Sequence, residues 1–160
     1  MILGLGLAAS SVQAQNEAMG QGLFEQQGAN SCMYCHGIDG KGGKVAVAAK
    51  LDSPKTWKVY KALGGDAAMA KNKAEFLKNM EEASVNLILK GAISHNASFK
   101  KPYFDWSKTG GTYNAQMLGI TGAPSTAWIN KYKAKGVTKE TAAKAAYMYI
   151  HKFDTQGVFK

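Results

Sequence analysis

Cys32-Met33-Tyr34-Cys35-His36 is the stretch on which the reading of this chain turns. Two thiols separated by two residues can reach the two vinyl groups along one edge of a porphyrin. The adjoining imidazole then lies under the iron and supplies an axial ligand. C-x-x-C-H is the attachment pattern for a covalently bound c-type haem. The chain has no other cysteine, so none remains for a disulfide framework. The rival readings are weaker. A thioredoxin-like dithiol needs a surrounding βαβ pattern, whereas these flanks read as helix and glycine loop. A zinc site asks for four ligands, and beyond Cys32, Cys35 and His36 the strong candidates are only His95 and His151. A disulfide between Cys32 and Cys35 would strain so short a loop.

Outward from the pentad, the N-terminus reads MILGLGLAASSVQA over residues 1–14. A short apolar stretch followed by Val12-Gln13-Ala14 places small residues where signal peptidase cuts, although the usual basic start is missing. The stretch falls short of the ~20 apolar residues of a membrane span. The expectation is cleavage after Ala14 and export to the periplasm, where bacteria attach haem to paired thiols. Residues 15–160 then form a single domain. No other apolar run is long enough to span a membrane.

All 20 basic residues are lysine, and the formal net charge is +9. A nucleic-acid reading is disfavoured, because arginine normally carries base and phosphate recognition. The lysines are also spread from Lys41 to Lys160 rather than gathered on one helix. For an exported haem protein, such a surface would steer docking onto acidic redox partners. The competing reading is a plain solvated face.

Helical patterning predicts a first helix over 15–30, with Gly20 and Gly22 placed to let a second helix approach closely. Gly37 to Gly43 reads as a tight loop folding around the haem edge; it lacks the strand and G-K-[ST] ending of a phosphate loop. A short helix is expected over Lys55–Leu63 after Pro54. Asp66 looks like the N-cap of a helix-forming run, Ala67–Lys90, that is either one bent helix or two, with Gly91 as its C-cap. Residues 92–120 are the least regular. Thr126–Lys135 reads as a short helix, and Thr138 as the N-cap of a last one whose body is Ala142–Phe153. Ala143, Ala146, Tyr147 and Ile150 share one face of it, and His151 sits where a cation suits the helix dipole. Met69 and Met80 read as core filler.

Several of these segments resemble a class I cytochrome c. Gly20-Gln21-Gly22-Leu23-Phe24 is similar to that family's opening G-x-x-x-F helix. Ala145-Ala146-Tyr147-Met148-Tyr149-Ile150 resembles its final helix, whose aromatic packs across the first helix near the glycine. His36-Gly37 followed by Asp39-Gly40-Lys41-Gly42 is similar to the loop in many bacterial members. The resemblance covers residues 15–36 and 138–153 and is loose between them. It implies an all-α, cytochrome c-like fold wrapped around one haem c, with Phe24 and Tyr147 at the helix crossing.

The resemblance also implies a methionine opposite His36, from a loop before the last helix. Met117, in Ala115-Gln116-Met117-Leu118-Gly119, is the candidate, since a loop can reach the iron without dragging a helix across the haem. His95 is the alternative and would give bis-histidine ligation; an open sixth position is the third possibility. Without arginine, the propionates would be met by lysine, backbone amides, or the donors of Trp57, Trp106, Trp128, Tyr103 and Tyr113. The function implied is a periplasmic one-electron carrier, not itself an enzyme, as a monomer or weak dimer. A haem subunit of a complex oxidising sulfur or nitrogen compounds is the alternative, and a haem sensor with an open iron a further one.

Overall fold

The computed structural model describes residues 16–26, 31–44, 48–98, 130 and 136–160, with 90–98 described by backbone alone. These residues are all-α, with no strand among them. Helix α1 covers 16–24 and α2 is Cys32–His36. A 3-10 turn, Pro54–Thr56, leads into α3, Lys58–Ala62. Then come α4, Gly65–Lys71, and α5, Lys73–Ser98. The last helix, α6, is Lys139–Ile150 and continues into a 3-10 turn, His151–Phe153. Among the described residues no helix is long and apolar enough to cross a membrane. Residues 1–14, 99–129 and 131–135 lie outside this description, and with them the signal segment, the 126–135 helix, Trp106, Trp128, Tyr103, Tyr113 and Met117.

The start of α6 follows from its sequence. The Thr138 side chain accepts the N–H of Thr141 at 3.1 Å, and Glu140 stands in the first turn, where a negative charge suits the dipole. The buried face is wider than the expected stripe, because Ala142, Ala145 and Tyr149 are buried alongside Ala143, Ala146, Tyr147 and Ile150. A helix buried over so much of its circumference needs neighbours on two sides, and α5 and α1 supply them.

α1 crosses α6 at Gly20. A Cβ on Gly20 would collide with the Ala145 carbonyl oxygen and lie 2.8 Å from the Tyr149 Cβ. The backbones therefore meet at a distance that only glycine permits. Beyond this crossing, Leu23 and Phe24 enter opposite sides of the core. Leu23 packs with Ala142, Ala143 and Ala146, and with Val85, Ile88 and Leu89 of α5. The Phe24 ring meets Tyr149 at 5.6 Å and Phe153 at 5.4 Å. The aromatic across the first helix is thus Tyr149, two positions after the expected Tyr147. Its hydroxyl donates to Glu25 Oε1 at 2.5 Å. Tyr147 turns instead toward His151 and Phe159, with centroids at 4.5 and 6.0 Å.

The long helical run divides at Asn72. Its side-chain oxygen accepts the N–H of Glu75 at 3.2 Å while its amide donates to the Glu75 carboxylate at 3.0 Å. This reciprocal cap stops α4 and starts α5. Gly91 does not end α5, which runs on to Ser98. A helical glycine costs about 1 kcal/mol against alanine, too little to terminate a long packed helix. Asp66 is not an N-cap either. Gly64, in the left-handed region at φ 99°, begins α4 earlier, and the Asp66 carboxylate instead accepts the Tyr60 hydroxyl and pairs with Lys55, each at 2.7 Å. The short helix expected over 55–63 is broken at Trp57, where ψ is 140°.

The C-terminal segment closes the core. Buried Asp154 accepts the N–H groups of Gln156 at 2.8 Å and Phe159 at 2.9 Å. That turn lays the Phe159 ring on His151, stacked at 3.7 Å. His151 is therefore no dipole-pairing cation. Burial pushes its imidazole down to about 4, with Glu81 and Asp154 opposing the shift.

Two outcomes test this packing. Propensity alone predicts that Gly20→Ala stabilises the chain by about 1 kcal/mol. The crossing predicts instead a loss of about 1–3 kcal/mol from overpacking, read from denaturant unfolding; a gain would mean the helices can part at no cost. For His151, the unfolded imidazole takes up its proton near 6.5 while the folded one resists until about 4. Stability from this group is complete above 6.5 and is lost as pH falls through that window. His151→Phe keeps the stack and should flatten the stability profile between those values. Identical wild-type and variant slopes would exclude this source.

Candidate haem-attachment site

Helix α2 is only five residues long, far below the length at which a helix is stable alone. External partners therefore hold it at both ends. At its start, buried Ser31 accepts the Tyr34 N–H on its hydroxyl at 3.1 Å. At its end, the loop from Gly37 to Lys44 folds back under the helix. Gly42, Gly43 and Lys44 donate their N–H groups to the carbonyls of His36, Cys35 and Tyr34 at 2.9, 3.0 and 2.9 Å, and Gly37 donates to Met33 at 2.8 Å. Four carbonyls that a helix terminus leaves orphaned are satisfied this way. Gly43 is required here, because a Cβ on it would run into the Tyr34 carbonyl oxygen. The glycine-rich loop is thus the brace of α2.

Cys32 and Cys35, three positions apart on a helix, fall on the same face. Neither forms a disulfide. Cys32 packs against the core that contains Phe24, Trp57 and Tyr147, and burial pushes its thiol up to about 11. Burial raises the Cys35 thiol as well. Both sulfurs are therefore protonated thiols at neutral pH.

His36 is half-buried, and burial lowers its pKa while a backbone hydrogen bond opposes that shift. Its Nδ1 lies 2.8 Å from the Ala49 carbonyl oxygen. A carbonyl only accepts, so Nδ1 carries the proton and donates. The tautomer is then set, and Nε2 keeps its lone pair for a metal. Ala49 is a partner that sequence reading could not find, since any backbone carbonyl can play this part. The Ser31 cap was visible in principle, as a serine directly before the run.

The donor set fits a porphyrin gripped at one edge: two thiols on one helical face and, one residue on, a neutral imidazole oriented through Nδ1. Among the described residues no three His, Cys, Asp or Glu side chains gather into a metal cluster. The remaining expected site residues separate. Met117 is outside the described residues, and His95 lies on α5 rather than in a loop after it. Met80 is fully buried in the core, Met69 lies beside Tyr60, and Met148 is exposed on α6. Trp57 cannot serve a propionate, because its indole N–H donates to the Lys50 carbonyl at 2.8 Å.

No protein-family model, curated protein or solved structure matches this chain.

Gly43→Ala should unseat the loop from α2. The expected loss is about 1–3 kcal/mol in unfolding free energy, together with faster amide exchange at Gly42 and Lys44. Unchanged exchange at both amides would show that the loop does not depend on that contact.

Proposed function

We propose that the chain is a class I c-type cytochrome that works as a periplasmic one-electron carrier. One haem c is held through Cys32 and Cys35, with His36 and Met117 as axial ligands. The observation that carries this reading is the His36 hydrogen bond to Ala49. It orients the imidazole beside two same-face thiols and leaves Nε2 as the metal-binding nitrogen. The glycine contact between α1 and α6 supports the cytochrome c-like fold, since the resemblance places such a crossing between the first and last helices.

When bound, the haem supplies the one-electron iron couple, and its potential depends on ligand identity and burial. The residues of the chain hold and tune it. Ser31 and the Gly37–Lys44 loop keep α2 intact, so the two thiols and the imidazole stay in register. Burial favours the neutral His36 ring, while the Ala49 carbonyl fixes its tautomer and strengthens its donor nitrogen. Held by both His36 and Met117, the group would have no place for a substrate, which suits a carrier rather than a catalyst.

The test is expression in a host that matures c-type haem, followed by the pyridine haemochrome spectrum. The wild type should carry one haem through two thioether bonds, and Cys32→Ala/Cys35→Ala should carry none. The ferric protein should show a weak near-infrared sulfur-to-iron band that disappears in Met117→Ala. A low-spin protein without the band would point to His95. A high-spin spectrum with rapid carbon monoxide binding to the ferrous form would overturn the carrier reading in favour of a sensor or catalyst.

A further inference from the structure

Between them, α5 and α6 line an open groove with a volume of about 950 Å³. Its floor is apolar, made by Leu77 and Val85 of α5, Tyr147 and Met148 of α6, and Phe159 of the C-terminal segment. Leu77, Glu81 and Val85 recur every four residues, as do Glu140, Lys144 and Met148, so each helix turns one row of side chains to the groove. Tyr147 is buried, whereas Met148 is 43% exposed. Apart from Tyr34 and Ile38 beside the pentad, Met148 is the only large apolar side chain exposed among the described residues. Its thioether, on an unbranched stem, adapts to whatever surface it meets.

The rim of the groove departs from the charge of the chain as a whole. Glu81, Glu82 and Glu140 stand there against Lys78 and Lys144. Three of the 11 acidic residues thus meet two of the 20 lysines, in a chain of net charge +9. Lys144 pairs with Glu81 at 2.8 Å and ties α6 to α5. Glu82, Glu140 and Lys78 are exposed around that pair. Two copies of so basic a chain repel each other over most of their surface. Here the signs are interspersed around an apolar centre, so the patch is complementary to itself.

We infer that the α5–α6 groove is the surface by which two copies of this chain associate, the Met148 side chain of each seated in the groove of the other. This goes beyond the carrier reading and does not rest on it. The contact is isologous, as a two-fold axis requires, so one patch supplies both the knob and the socket. An apolar centre with a polar rim has the anatomy of a protein interface. One groove between two helices makes a small one, and small interfaces associate weakly and reversibly. The dimer therefore forms and parts with concentration.

The test is sedimentation equilibrium of the full chain, as it is matured, from about 1 μM to about 1 mM. The wild type should follow a monomer–dimer equilibrium across that range. Met148→Lys should weaken association about tenfold or more, because each copy would force an ammonium group into an apolar groove. Ile38→Lys makes the same charge change at an exposed apolar position outside the groove and should stay within about twofold of wild type. Glu82→Lys should also weaken association about tenfold, whereas Glu17→Lys, exposed on α1, should leave it nearly unchanged. All four side chains are exposed, so the variants should keep the wild-type unfolding midpoint. A wild type that is still monomeric at about 1 mM would overturn the second copy as occupant and leave the groove to another partner. A dimer that survives both Met148→Lys and Glu82→Lys would put the contact elsewhere and sink the proposal. Equal losses at Met148 and Ile38 would do the same, since net charge alone would then explain them.

Discussion

The contact of Gly20 with the Ala145 carbonyl is the constraint on which the rest of this fold depends. Two helices whose backbones touch cannot slide, because the groove is as wide as one missing side chain. Once they are locked, Leu23 and Phe24 have no choice of side. One enters the alanine-rich pocket against α5, and the other the aromatic group of Tyr149 and Phe153. The hydroxyl of Tyr149 then reaches Glu25 beside the crossing, whose carboxyl is held below its usual range by that bond. Polar and apolar contacts thus reinforce the same register.

A second dependence runs through α2. Five residues cannot make a helix by themselves, so the geometry of the thiols and imidazole is set from outside. Ser31 holds one end and the glycine loop the other. The loop is anchored in turn, as Leu51 donates its N–H to the Gly40 carbonyl at 2.6 Å. The following segment is tied to the C-terminus, where Thr155 donates to Asp52 and the Lys55 N–H to Gln156. Residues far apart in sequence therefore converge on one short helix, and the candidate site is built where local propensity is weakest.

Much of this was legible from local patterns. The pentad, the Thr138 cap and the small residue at position 20 each rest on interactions within a few residues, or on steric demands that glycine alone meets. Where the reading failed, a tertiary contact overrode a local signal. Gly91 looks like a stop but lies within a long helix. Asp66 looks like a cap but spends its carboxylate on Tyr60 and Lys55. His151 looks like a surface cation but stacks under Phe159 as a neutral ring.

By itself, then, the sequence determined the chemistry: two thiols and an imidazole at a spacing that one helical turn brings together, in a lysine-rich chain whose described residues are all-α. The tertiary structure decided how that chemistry is held. It chose Tyr149 over Tyr147 for the crossing, withdrew the Trp57 donor by giving it the Lys50 carbonyl, and supplied Ala49 to orient His36. The physical reason is the same in each case. Backbone carbonyls are identical in every residue, so their placement opposite a ring or indole nitrogen is written only in the folded path of the chain.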